Sequence, residues 1–172
     1  MPGDLADLLA KQAITEALYR YCRAMDRMDH AQAVATWHPG GTADYGTIFQ
    51  GTGAEFVDWV EATHRSMRRH AHRIANILIE VDGLRARSEA YVTVLLRLVE
   101  NGTEVELVAH GRYLDHWSCR DGSWAIEARR YIHDFGGRHA ITDDGIASAA
   151  ARDRSDPSYG WLADPADASP SA

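Results

Sequence analysis

The chain is poor in cysteine, short of basic residues and without a long apolar run. Cys22 and Cys119 are its two cysteines; with no CxxC spacing they make neither a disulfide framework nor a redox motif, and they read as reduced thiols. The longest apolar stretches, such as Tyr91 to Leu96, fall far below the ~20 residues that span a bilayer, so no membrane partner is expected. Met1-Pro2-Gly3-Asp4-Leu5 has no basic segment leading into an apolar one, which reads against a secretory signal and for a cytoplasmic location. Eighteen Lys and Arg stand against 25 Asp and Glu, a net charge of −7. Neutralising phosphates needs a basic surface, so nucleic acid is not an expected partner. Phosphate-cradling glycine loops and a GxSxG elbow are also missing, which removes nucleotide cofactors and serine hydrolysis together. No cofactor is expected.

What is present suits one globular domain: 172 residues, 45% hydrophobic and 25% charged. Leu5, Leu8, Leu9, Ala13, Ile14, Ala17, Leu18, Tyr21, Cys22 and Met25 recur at spacings of three and four, the stripe of a long opening helix. A shorter helix is expected from Ala31 to Trp37, stopped by Pro39-Gly40-Gly41. Short extended pieces around Gly46 follow, and helical spacing returns from Gly51 to Arg69. From His70 the period is two. Turns at Asp82-Gly83, Asn101-Gly102 and Asp121-Gly122 then separate four strands ending at Phe135, an antiparallel meander. The fold class is therefore α+β, with the helices gathered on one face of a curved sheet. Residues 1–137 form the body. Of the 35 residues from 138 to 172, 25 are Ala, Ser, Asp, Pro or Gly, which marks a tail. Body and tail are both net negative, so the tail is expected to dock through Tyr159, Trp161 and Leu162 rather than through charge.

Nine histidines raise the question of a metal, above all His70 and His72 on one face of a strand. No third ligand stands at a telling spacing, so no metal is expected. Asp26 is more informative. It lies at the edge of the apolar stripe of the opening helix, where a half-buried carboxylate needs a partner or a proton. His72, opening the first long strand, is the natural partner: a carboxylate accepting Nδ1–H fixes the tautomer and leaves Nε2 free as a base. The same two residues also read as a helix-end carboxylate and a satisfied histidine at a sheet end. Strand parity groups Arg129 with Tyr131, His133 and Phe135 on one face, against Trp124, Ile126 and Ile132 on the other. It groups His72 with Ile74, Asn76 and Leu78, while Ala90, Val92 and Val94 supply an apolar wall. Trp37 and Tyr45 are candidates to close the mouth. Such a lining suits a small hydrophobic, cyclic substrate bearing one or two oxygens.

The helix end Leu18-Tyr19-Arg20-Tyr21-Cys22-Arg23-Ala24-Met25-Asp26, the segment His72-Arg73-Ile74-Ala75-Asn76 running to Asp82-Gly83, the strand Gly111-Arg112-Tyr113-Leu114-Asp115 and Asp121-Gly122-Ser123-Trp124-Ala125-Ile126 carry a further signal. Over residues 5–135 the chain resembles the SnoaL-like group of the nuclear transport factor-like superfamily. That resemblance implies a cone-shaped α+β barrel, a curved antiparallel sheet wrapped around N-terminal helices. It also implies a cofactor-independent lyase, dehydratase-like, with Asp26 and His72 as the catalytic dyad, Tyr21 assisting, and Arg129 matching a last-strand arginine. Isomerase chemistry and a non-catalytic binding or assembly role belong to the same fold, and relatives with this dyad imply a homo-oligomer, a trimer by preference.

Overall fold

The computed structural model describes residues 5–142 and 145–162. Helix α1 (Leu5–Arg27) buries Ile14, Ala17, Leu18, Tyr21, Cys22 and Met25, the second half of the stripe that the sequence spacing predicts, whereas Leu5, Leu8, Leu9 and Ala13 of its first half are exposed. It ends where Met28 takes a left-handed φ of 51° while the N–H of Met28 returns to the Met25 carbonyl and that of Asp29 to the Ala24 carbonyl, a Schellman closure. Asp29 then caps α2 (His30–Val34) by accepting from the Gln32 N–H. Asp26 is thereby fixed in the last turn of α1.

Helix α2 stops at Val34, short of the expected Trp37. Trp37 instead opens β1 (Trp37–Asp44), and Pro39-Gly40-Gly41, expected to break a helix, lie inside that strand. Sheet pairing overrides the local turn signals here. Between Trp37 and Thr42 the pairing with the last strand is interrupted, which accommodates Pro39 and the left-handed Gly40. After β2 (Gln50–Thr52), α3 (Gly53–His64) begins with a capping box between Thr52 and Glu55. It is shorter at both ends than the helical spacing predicts.

The meander is β3 (Arg69–Asp82), β4 (Arg85–Glu100), β5 (Thr103–Arg120) and β6 (Ser123–Ala140). These four strands pair antiparallel in sequence, and β1 adds to the outer side of β6 in parallel, giving the order β2-β1-β6-β5-β4-β3. The sheet is not closed. Its curvature comes from bulges, since an extra residue on one strand bends it: the register slips between Ala75 and Leu78 in β3, at Glu127 and again at Asp134 in β6. The core, including Leu18, Phe56, Val92, Trp117 and Ile126, fills the space between the concave face and α1 and α3. Among the described residues, no helix is long and apolar enough to cross a membrane.

β6 runs to Ala140, past the expected end of the body at Gly137, and α4 (Pro157–Trp161) follows in the C-terminal segment. That segment docks by polar contacts, contrary to the expectation from net charge. Tyr159 donates to Asp29 at 2.7 Å, Arg154 reaches the same carboxylate at 3.4 Å, Asp156 pairs with Arg27 at 3.2 Å, and Arg23 lies 4.2 Å from the Tyr159 ring centre. Trp161 and Leu162 are 89% and 71% exposed, so among the described residues they do not supply the expected apolar docking. Individual pairs, not the sums of charge, decide the docking.

Candidate active site

β3 is an edge strand, so its outward N–H groups need partners other than a neighbouring strand. The Asp26 carboxylate supplies one. It accepts the His72 backbone N–H at 3.0 and 3.1 Å and also the His72 Nδ1 at 2.7 Å. A carboxylate oxygen accepts, so Nδ1 is the donor, which in the neutral ring leaves the lone pair on Nε2. The two side chains are 9% (His72) and 15% (Asp26) exposed.

His72 borders a cavity of about 220 Å³ with Tyr21 and Met25 of α1, Tyr45 and Ile48 of the β1–β2 turn, Phe56, Trp59, Val60 and His64 of α3, and side chains of all four meander strands. Its polar groups are few. The Tyr21 and Tyr45 hydroxyls touch at 3.0 Å, and Tyr45 is stacked between Phe56 and Tyr131. Burial pushes the Tyr21 and Tyr45 phenols up, against the pull of Arg129, and pushes Tyr131 up to about 12. All three stay protonated at neutral pH and able to donate. Burial likewise holds His64 down at about 4 and His70 at about 3, so both are neutral.

Arg129 stands behind this cavity rather than in it. It pairs with Asp115 through two contacts of 2.7 Å, both side chains wholly buried. Its guanidinium carbon lies 3.8 Å from the Tyr113 ring centre and 4.4 Å from that of Tyr21. Burial opposes its charge, but Asp115 more than offsets this and raises its pKa. Strand parity groups Arg129 with the cavity side chains, but the Tyr113 and Tyr21 rings cover it and it is not among the residues lining the cavity. What it can do is bias the phenols in front of it.

Residues 6–130 match the family model of the SnoaL-like domain. The chain belongs to the SnoaL-like family. With it comes membership of the nuclear transport factor-like superfamily, whose cone fold the open curved sheet matches. Among solved structures, this SnoaL-like chain is similar to a hexachlorocyclohexane dehydrochlorinase, LinA type 2, at 19% identity over 84% of this chain and 100% of that one, with a TM-score of 0.74. It is similar to a Novosphingobium aromaticivorans protein provisionally named scytalone dehydratase, at 20% identity over 83% and 97%, TM-score 0.69. A D26N form of Rv3472 from Mycobacterium tuberculosis, of unknown function, aligns at 22% identity over 81% and 83%, TM-score 0.60. No curated protein sequence matches.

In this SnoaL-like fold, Tyr21, Tyr45, Val94, Tyr131 and His72 meet around one cavity. Several other expected lining residues do not. Asn76 takes a left-handed φ of 49° at the β3 bulge, which turns Asn76 and Leu78 outward and Ile77 and Ile79 inward. The bulge at Glu127 puts Ile126 in the core on the side of Arg129, and the one at Asp134 turns Phe135 outward against His110; His133, ahead of that bulge, keeps the face of Tyr131, whose hydroxyl it meets at 3.3 Å, but lies exposed beyond the cavity. Val92 is buried deeper in the core. Trp37 is core too, not a lid: a Cβ on Gly53 would meet its ring at 2.1 Å, so only glycine lets α3 start there. Sequence reasoning passed over His64, Trp59 and Asp115 as site residues. Asp115 could have been found, because it alternates inward between Tyr113 and Trp117. Among the described residues, no three His, Cys, Asp or Glu side chains gather as metal ligands would.

Proposed function

We propose that this SnoaL-like chain is a cofactor-independent lyase, a dehydratase acting on a small cyclic substrate with a carbonyl and a leaving oxygen. The observation that carries the reading is the 2.7 Å contact of Asp26 with His72 Nδ1, which leaves Nε2 as an available base beside an aromatic cavity. Nε2 takes a proton from the carbon next to the carbonyl, and the ionised Asp26 supports the imidazolium so formed. The carbonyl oxygen gains charge and sits against the Tyr21 and Tyr45 hydroxyls, which Arg129 biases from behind. The electron pair left on carbon forms the double bond as the C–O bond breaks, and the imidazolium returns its proton to the departing oxygen. Water leaves and His72 is neutral again. The similarity to a dehydrochlorinase and to a protein named scytalone dehydratase supports elimination chemistry.

The test is a screen of cyclic hydroxy-ketones and hydroxyacyl thioesters, followed by mass for loss of water. His72→Ala lowers turnover of a hit about 10²- to 10⁴-fold, the usual share of acid–base catalysis; a loss below tenfold assigns the proton to another group. A product of unchanged mass with a shifted double bond means that the proton returns to carbon, and the enzyme is then an isomerase. Binding without turnover across the screen rejects both.

A further inference from the structure

The contact between α1 and β3 is held by more than the Asp26–His72 pair. One residue before Asp26, the Met25 carbonyl accepts Nδ1–H of His70 at 3.2 Å, and His70 lies two residues before His72 on the same face of β3. The two histidines thus form parallel rungs between the same helix end and the same edge strand. With Nδ1 donating, His70 Nε2 must accept, and Arg152 supplies the donor through Nη2 at 3.3 Å. The same Nη2 donates to the His64 carbonyl at 2.8 Å, and Nη1 donates to the Met67 carbonyl. One guanidinium therefore ties the end of α3, the turn into β3 and the second rung together. The segment bearing it is fastened on either side of the α1 end by Asp156 on Arg27 and Tyr159 on Asp29.

We propose that Arg152, acting through His70, is a positioning residue for His72, so that the docked C-terminal segment is part of the catalytic apparatus. Three features support it. Arg152 fixes His70 in the tautomer that can brace Met25. A neutral His70 beside an arginine cannot turn around without losing both partners, and Arg152 keeps it neutral from outside while burial does so from inside. The register of Asp26 against His72 then follows from a rung one residue away on the helix and two on the strand. The proposal rests on His72 being the base.

The experiment uses the full chain. In the parent protein, ring ¹⁵N NMR of His72 without substrate should show one tautomer, protonated at Nδ1. Arg152→Ala should shift this signature toward an average of the two tautomers and lower kcat roughly 10- to 100-fold with KM unchanged, as misplacement of a base does. Arg152→Lys keeps the charge but not the fork that reaches three acceptors, and should fall between. If Arg152→Ala does not fold, His70→Asn and His70→Leu test the same rung: the Asn side-chain N–H can still reach Met25 and should preserve the His72 signature, whereas Leu should lose it. An unchanged His72 spectrum in Arg152→Ala, or in His70→Leu, overturns the proposal. The spectrum needs no turnover, so a His72→Ala enzyme that keeps its activity would defeat the proposed function while leaving the brace measurable.

Discussion

Two carboxylate pairs, one with a guanidinium and one with an imidazole, face the same interior, and both close at 2.7 Å. Asp115 and Arg129 are sealed, held by ladder neighbours and shut in by aromatic rings; Asp26 and His72 sit at a seam, where an edge strand borrows a carboxylate from a helix end. A sealed pair cannot change its protonation without leaving an unmatched buried charge, so its use is as a fixed field. On the proposed reading, a pair at a seam, with one ring nitrogen unengaged among the described residues, takes a proton and returns it. In the proposed mechanism, position in the fold, more than residue type, separates the support from the reagent.

The same substitution in each pair should therefore break different things. Asp115→Asn strands the Arg129 charge and should cost about 3–5 kcal/mol of stability; thermal or urea melting reads this, and a stability within 1 kcal/mol of the parent would mean that the pair is not sealed in solution. Asp26→Asn keeps oxygen and volume but withdraws the charge behind the imidazolium. It should leave the melting curve nearly unchanged and lower kcat by about 10²- to 10⁴-fold. Tyr21→Phe removes one donor from the oxygen site and should cost about 10²-fold in kcat, with KM for a ketone analogue little affected.

The smallest effect concerns pH. His64 and His70 are neutral in the fold, at about 4 and about 3, below the ordinary histidine value of 6.5. The unfolded chain binds their protons first, so their contribution to stability is full above about pH 6.5 and is lost as pH falls toward 4 and then 3. Melting temperatures between pH 7 and pH 4.5 should decline less steeply in His64→Gln than in the parent. Equal slopes would show that His64 is solvated.

Asp26 and His72 were legible because each needs only a local rule: a helical stripe places the carboxylate, and the change of period marks the start of the strand. Tyr21 lies on the same stripe, but its part in the site is implied by the resemblance to the SnoaL-like group, and Tyr45 is expected only at the mouth. Parity counting fails at Asn76, Phe135 and Ile126, since one extra residue in a strand inverts the side chains beyond it and leaves no sharp sequence mark; it holds at His133, which shares the face of Tyr131 but lies outside the cavity. Arg129 was found on the expected face, but it lies behind the cavity rather than lining it. Its closure by Tyr21 and Tyr113 is a property of the packed sheet, as is the conversion of Pro39-Gly40-Gly41 from a helix stop to a strand. The C-terminal segment misled because net charge averages over the few pairs that hold it.

The parallel pairing of β1 with β6 carries a consequence for the order of assembly. Residues 37–44 have their sheet partner in residues 123–140, so β1 cannot join the sheet until nearly the whole body has been synthesised. Contacts so distant along the chain are slow to form. Until then Tyr45 lacks Tyr131 to stack on, and Arg129 does not yet exist to sit behind Tyr21. A ribosome-bound chain that ends before β6 thus holds Asp26, His72, Tyr21 and Tyr45 but lacks the strand that stacks Tyr45 and backs Tyr21, so on the proposed reading the site is complete only when the last strand closes on one of the first.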